Sequence, residues 1–275
     1  MSKRSNSQPE IRLQNVSFYY PQEQRLVFNR LSLELPKGVV SLAGQNGTGK
    51  STLLLLASGI LLPVEGTVYL QGIDTRDLRE EQERQRYVSF IYQNMEFETE
   101  KSIGTLLEYV YENGFHDNKD TGLISELIEV CELTPVLSKK TQTVSKGELQ
   151  RTIIAFSLLY GSRIIMMDEP IFALEEYQKQ RIMKYLFDYT RKNNLSLYYS
   201  VHELDISKKY SDYLLLLNKE GAPEIGPTEE LFTREKLEKA YEFPFVMLKR
   251  KEALYREMLQ KISPHRSPEG PAGPE

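Results

Sequence analysis

Gly44-Gln45-Asn46-Gly47-Thr48-Gly49-Lys50-Ser51-Thr52 is the stretch from which the fold can be read. It satisfies G-x-x-x-x-G-K-[ST] at every fixed position. Before it, Gly38-Val39-Val40-Ser41-Leu42-Ala43 reads as a short apolar strand. After it, Ser51 to Ser58 reads as a helix, with Leu53 to Leu56 and Ala57 as good helix formers. Glycines let the backbone curl so that successive N–H groups point at phosphate oxygens, and the helix N-terminus adds partial positive charge there. In such a loop residues Gly44, Gln45, Asn46, Gly47, Thr48, Gly49 and Thr52 cradle the phosphates. Lys50 bridges the β- and γ-phosphates, and the Ser51 hydroxyl ligates Mg²⁺. The plain alternative is a glycine-rich turn that carries a lysine by chance. The agreement of strand, loop and helix disfavours it.

The bulk numbers bound the rest. A chain of 275 residues holds one large domain or two lobes. Its 40% hydrophobic and 27% charged residues are ordinary for a globular protein. A net charge of −4 and a pI near 5.7 provide no basic field to recruit nucleic acid. Cys131 is the sole cysteine, which excludes an intrachain disulfide and fits a reducing compartment. It lies in an apolar helical pattern and is expected to be a buried small hydrophobe. The chain contains no uninterrupted run of about 18 apolar residues that would span a bilayer, and Met1 to Pro9 lack the apolar segment of a secretory signal. The expected location is the cytoplasm.

Outward from the loop, Ile11, Leu13, Val16, Phe18 and Tyr20 give a roughly alternating, β-rich run, and Leu26 to Leu35 form a second strand-like run. Together they predict an antiparallel hairpin. Gly66 to Leu70 and Tyr87 to Tyr92 read as further strands. Residues 102 to 159 turn helical, as a helical insert. Arg163 to Asp168, Leu195 to Val201 and Tyr213 to Leu217 read as strands, with a long helix over 175–192 between the first two. That alternation predicts a parallel sheet covered on both faces. Residues 228–260 read as helical, and the polar first residues and the Pro/Gly-rich tail from Ser263 as disordered. Ile164 to Met167 then deliver Asp168 and Glu169 to the C-terminal end of a buried strand, where ligands sit in such sheets. Asp168 would hold Mg²⁺ through water, and Glu169 would polarise the attacking water. An Asp-Glu-Pro turn after a core strand is the alternative, outweighed once the phosphate loop lies upstream.

Val144-Ser145-Lys146-Gly147-Glu148-Leu149-Gln150-Arg151 makes the pattern specific. The chain resembles the ATP-binding subunit of an ABC transporter, whose signature runs Leu-Ser-Gly-Gly-Gln followed by x-Gln-Arg. The resemblance covers roughly residues 11–235, and the family's markers occur in the family's order. Tyr20 matches the aromatic that stacks on adenine, Gln93 the glutamine that senses Mg²⁺ and the membrane partner, Ala173-Leu174-Glu175 the D-loop, and His202 the switch histidine at the γ-phosphate. The implied fold is α/β: a P-loop NTPase (RecA-like) core with a mainly parallel sheet, an antiparallel β subdomain and a helical subdomain over about 95–158. The implied division is an ATPase domain over 11–235, a helical extension over 236–262, and disordered ends at 1–10 and 263–275.

The resemblance also implies a function. ATP and Mg²⁺ bind at the phosphate loop, with Lys50, Gln93, Glu169 and His202 catalytic and Ser51, Gln93 and Asp168 around the metal. Ser145 and the Gly147 N–H close on the nucleotide of a second ATPase subunit, in a two-fold dimer. The motion drives a separate membrane permease, so the chain would sit peripherally on the inner face of the membrane. The layout resembles import-type ATPases, which work with a solute-binding protein. An exporter ATPase, a soluble ABC-type ATPase such as an iron–sulfur assembly factor, and an ATP-binding regulatory module are the other readings. Lys146, Glu148, Glu175 and Ile171-Phe172 depart from the family pattern. Lys146 would face phosphate or pair with an acid such as Glu148, and the departures bear on hydrolysis rate and dimer symmetry.

Overall fold

A computed structural model describes residues 9–23, 25–117, 119–120, 122–219, 221–248 and 250. At its centre lie strands whose sequences are apolar without alternation. These are β3 (Val39–Ala43), β7 (Ile164–Asp168) and β8 (Ser196–Ser200), each buried at all five positions. Such runs belong inside a sheet covered on both faces. With β6 (Val88–Ile91), β9 (Tyr213–Leu216) and β10 (Glu224–Pro227) they form a six-stranded sheet ordered β10-β9-β3-β8-β7-β6. All neighbours are parallel except β9 and β10. The C-terminal ends of β3, β8, β7 and β6 therefore lie side by side, and the residues leaving them share one edge.

A second, four-stranded sheet, ordered β2-β1-β4-β5, is antiparallel. It comprises β1 (Ile11–Phe18), β2 (Phe28–Leu35), β4 (Glu65–Leu70) and β5 (Ile73–Asp74). The predicted hairpin is β1–β2, pairing Ile11 with Leu35 and Phe18 with Phe28. Between these, Asn15 and Arg30 adopt positive φ at register shifts, which bend the ribbon. Ile11, Leu13, Leu33 and Leu35 face the same core as Leu53, Leu54 and Leu56 of α1 (Lys50–Ala57), which lies between the two sheets.

The helical stretch resolves into α3 (Ile103–Glu112), α4 (Gly122–Val130) and α5 (Lys146–Leu159). Ile103, Leu107, Leu123, Leu127, Cys131 and Ile153 share a core with Ile182, Met183 and Leu186 of α6 (Glu176–Lys192). Cys131 is buried and its thiol is pushed up to about 12 by burial, as expected of an inert packing residue. Two elements escape periodicity. Helix α2 (Glu81–Tyr87) buries no residue; acids in its first turn, arginines in its last and a Gln85–Glu81 bond support it instead. Strand β10 ends in Gly226-Pro227, which suits an edge.

The C-terminal helical region is interrupted rather than continuous. Ahead of it, α7 (Leu204–Lys209) joins β8 to β9; within it, α8 (Thr228–Leu231) is short. Thr233 caps α9 (Arg234–Tyr241), and Glu242, at φ 54, ends it ahead of Pro244. Leu237, Ala240 and Tyr241 pack on Ala43, Leu214 and Leu216. Glu10 already joins the antiparallel sheet through Leu35 O. The expected disorder of residues 1–8 and 263–275, and the helix beyond residue 250, fall outside the described residues. No helix among the described residues is long and apolar enough to cross a membrane.

Candidate nucleotide site

Leaving β3, the loop turns at three glycines with positive φ, for two different reasons. A Cβ on Gly44 (φ 144) would lie 2.3 Å from Leu217 O, and one on Gly49 (φ 94) would lie 2.8 Å from Phe28 Cζ. A Cβ on Gly47 (φ 79) would meet nothing within 4 Å, so there the backbone conformation alone asks for glycine. Thr48 closes the turn, its Oγ1 donating to Gln45 O at 2.9 Å. Gln45 donates from Nε2 to Tyr241 O, which ties the loop to the end of α9. Asn46 is exposed.

Lys50 arches back over the loop, its Nζ donating to Gly44 O and Gln45 O at 2.8 Å each. Burial lowers its pKa, opposed by the carboxylates of Glu169 and Asp168. Ser51 opens α1 beside it, and Thr52 Oγ1 lies 3.0 Å from the Tyr20 hydroxyl. Tyr20 packs edge-on against Phe18, with centroids 5.1 Å apart. Its ring is thus fixed at the border of the antiparallel sheet and α1.

Glu169 gathers the residues that leave the neighbouring strands. His202 Nε2 lies 2.8 Å from Glu169 Oε1, and Gln93 Nε2 donates to Oε2 at 2.9 Å. Glu169 stands at φ 51, a left-handed conformation that costs a non-glycine residue on the order of 1–3 kcal/mol. Burial raises its pKa, but His202, Lys50 and the Gln93 donor together outweigh that, and the carboxyl ends below its ordinary value. Ser200, opposite Asp168 in the β7–β8 register, joins the two acids. Its hydroxyl donates to Asp168 Oδ1 at 2.6 Å and accepts from Glu169 N at 3.0 Å.

Ser145 and Gly147 belong to the helical layer. Ser145 caps α5: its Oγ accepts from Glu148 N at 3.2 Å, while its own N–H donates to Glu148 Oε2 at 2.7 Å. Burial pushes the Glu148 carboxyl up, but these donors, Lys139 and Arg151 bring it below its usual value. Lys146 does not pair with Glu148. It lies 3.9 Å from Glu96 Oε1, and Lys139 instead reaches Glu148 at 3.7 Å. Residues two apart on a helix do not face each other, which separates Lys146 from Glu148. A Cβ on Gly147 would come within 3.0 Å of Ala173 O, so the signature backbone packs on the segment that leads into α6.

Residues 28–172 match the family model for the ABC transporter. The chain belongs to that family. It is 32% identical over 230 residues to an ABC transporter ATP-binding protein of Archaeoglobus fulgidus, covering 82% of this chain and 94% of that one. It is also 27% identical over 244 residues to the methionine import ATP-binding protein of Mannheimia succiniciproducens, covering 85% and 69%. Among solved structures, it matches a dimeric post-hydrolysis state of an ATP-binding cassette bound to ADP and Pi. There the TM-score is 0.68 at 21% identity, over 79% of this chain and 98% of that one, a likeness of fold.

This ABC subunit binds ATP and is an ATPase. Its residues also fit a magnesium ion held jointly with phosphate. Among the described residues no group of three or more His, Cys, Asp or Glu side chains could hold a metal alone. The Asp168 and Glu169 carboxylates lie near Lys50, and the Ser51 hydroxyl, the Asp168 carboxylate and the Gln93 amide oxygen would supply a hard oxygen set. That suits a cation that keeps waters and takes phosphate oxygens for the remainder. Ser200 is a residue of the candidate site that the sequence did not single out. Its signal is register: it ends β8 two residues before His202.

Proposed function

We propose that this ABC ATPase powers solute import through a separate membrane permease, on whose cytoplasmic side it sits, together with a solute-binding protein. The observation that carries ATP hydrolysis, the power for that transport, is the meeting of Lys50, Asp168, Glu169, Gln93 and His202 at one edge of the parallel sheet. ATP is held by residues 44–52 with its adenine on Tyr20, and Mg²⁺ by Ser51, Asp168 and Gln93. Lys50 neutralises phosphate charge. Glu169 is ionised and orients the attacking water once His202 turns from it to the γ-phosphate. Ser145 and the Gly147 N–H, at the N-terminus of α5, complete the site of a second subunit. The likeness to a methionine import protein supports import.

The test is turnover and assembly together. ATPase activity is expected to vanish in Lys50→Ala and Glu169→Gln. The Glu169→Gln chain is expected to dimerise with Mg-ATP and to co-purify from membranes with a permease whose gene neighbours a solute-binding protein. Wild-type turnover in Glu169→Gln removes the catalytic assignment, and a neighbouring exporter gene removes import.

A further inference from the structure

We propose that Lys179 is a positioning residue for hydrolysis, which through Glu203 ties the helix after Glu175 to His202. The inference rests on the roles proposed above for Glu169 and His202. Lys179 is 2% exposed on the face of α6 that also buries Ile182, Met183 and Leu186. Its Nζ meets Glu203 Oε1 at 2.5 Å, and the Glu203 side chain is itself 14% exposed. A lysine so buried is rare and needs its charge matched. Well-packed apolar residues would often stabilise such a place as well or better, so packing alone does not account for the pair.

What the pair adds is direction. Glu203 holds the N-cap position of α7, yet its side chain makes no cap bond and reaches across to α6. The next residue of α6, Gln180, accepts from the Tyr210 hydroxyl at 3.0 Å and from Lys209 Nζ at 3.1 Å, at the far end of α7. Consecutive residues of α6 thus pin both ends of α7. The connection from β8 into α7 is Val201-His202-Glu203, so the backbone of His202 is held from one side by the buried pair. The His202 side chain is 40% exposed and still aims Nε2 at Glu169. A restrained backbone explains how an exposed ring keeps that aim. The start of α6 lies just after Ala173, whose O would stand 3.0 Å from a Cβ on Gly147 of the signature segment, so a displacement there would reach His202 through Lys179.

The test is steady-state ATP turnover by the full chain for Lys179→Met, Lys179→Arg, the double variant Lys179→Met/Glu203→Gln, and each Lys179 change combined with His202→Ala. The expected result is a kcat loss of about tenfold or more in Lys179→Met and in the double variant. Mg-ATP binding stays within about twofold, and Lys179→Arg recovers most of the rate. In the His202→Ala background Lys179→Met should add no further loss, because both act through one group. The double variant buries no unmatched full charge and supplies the answer if Lys179→Met does not fold. Wild-type kcat in the folded double variant, or a fully additive loss with His202→Ala, overturns the inference. Wild-type kcat in His202→Ala alone instead overturns the proposed site.

Discussion

His202 Nε2 sits 2.8 Å from Glu169 Oε1, across two neighbouring strands of the parallel sheet. With Gln93 on the other oxygen, each carboxylate oxygen has one partner. Glu169→Gln keeps the shape but removes the proposed base. We expect kcat to drop by about 10²–10⁴-fold with nucleotide binding retained. Single-turnover hydrolysis set against equilibrium Mg-ATP binding would show it, and parallel losses in both would point to misfolding instead.

The same contacts give Glu169 a pH signature. Its folded pKa is depressed, so the stabilisation from these contacts is fully present above the unfolded value of about 4.3 and is lost as pH falls through the folded value. Melting temperatures of wild type and Glu169→Gln should converge as pH falls through that range. A difference that persists unchanged in acid would contradict the sign.

Glycines of the loop should divide by mechanism. At Gly44→Ala the methyl meets the Leu217 carbonyl, adding an overpacking cost of about 1–3 kcal/mol to a positive-φ cost. At Gly47→Ala only the φ cost of about 1–2 kcal/mol applies. Urea unfolding of the two variants would rank them, with Gly44→Ala the less stable. Equal midpoints would mean that the Leu217 contact yields freely.

Tyr20 can be separated into ring and hydroxyl. Tyr20→Phe loses only the bond to Thr52, and ATP affinity should stay within a few-fold, about 1 kcal/mol or less. Tyr20→Ala loses the face as well and should weaken binding by about 1–3 kcal/mol. Titration with a fluorescent ATP analogue measures both. Equal losses would take the ring off the adenine.

Ser145 and Glu148 form a capping box although Glu148 departs from the family pattern. Ser145→Ala should cost about 1 kcal/mol of stability. Glu148→Gln restores the family residue and keeps an acceptor for the Ser145 N–H, so its unfolding midpoint should move little. A large loss in Glu148→Gln would show that the Lys139 contact matters more than the cap.

Local chemistry was legible in the chain. The unbroken apolar runs of β3, β7 and β8, the alternation in β2 and the loop glycines each dictate backbone within a few residues of themselves, so local sequence was enough. Helix α2 and strand β10 were not legible, because charge pairing and edge position leave no hydrophobic period. The partners of the site were decided by the tertiary structure alone. Gln93 lies 76 residues from Glu169, and Ser200 32 from Asp168, so only the order β3-β8-β7-β6 brings them within bonding distance. Likewise Lys146 found Glu96 rather than Glu148, and Lys179 found Glu203, through the packing of one layer on another. Strand order and layer packing come from burying surface between distant segments, and no window of sequence contains both sides of such a contact.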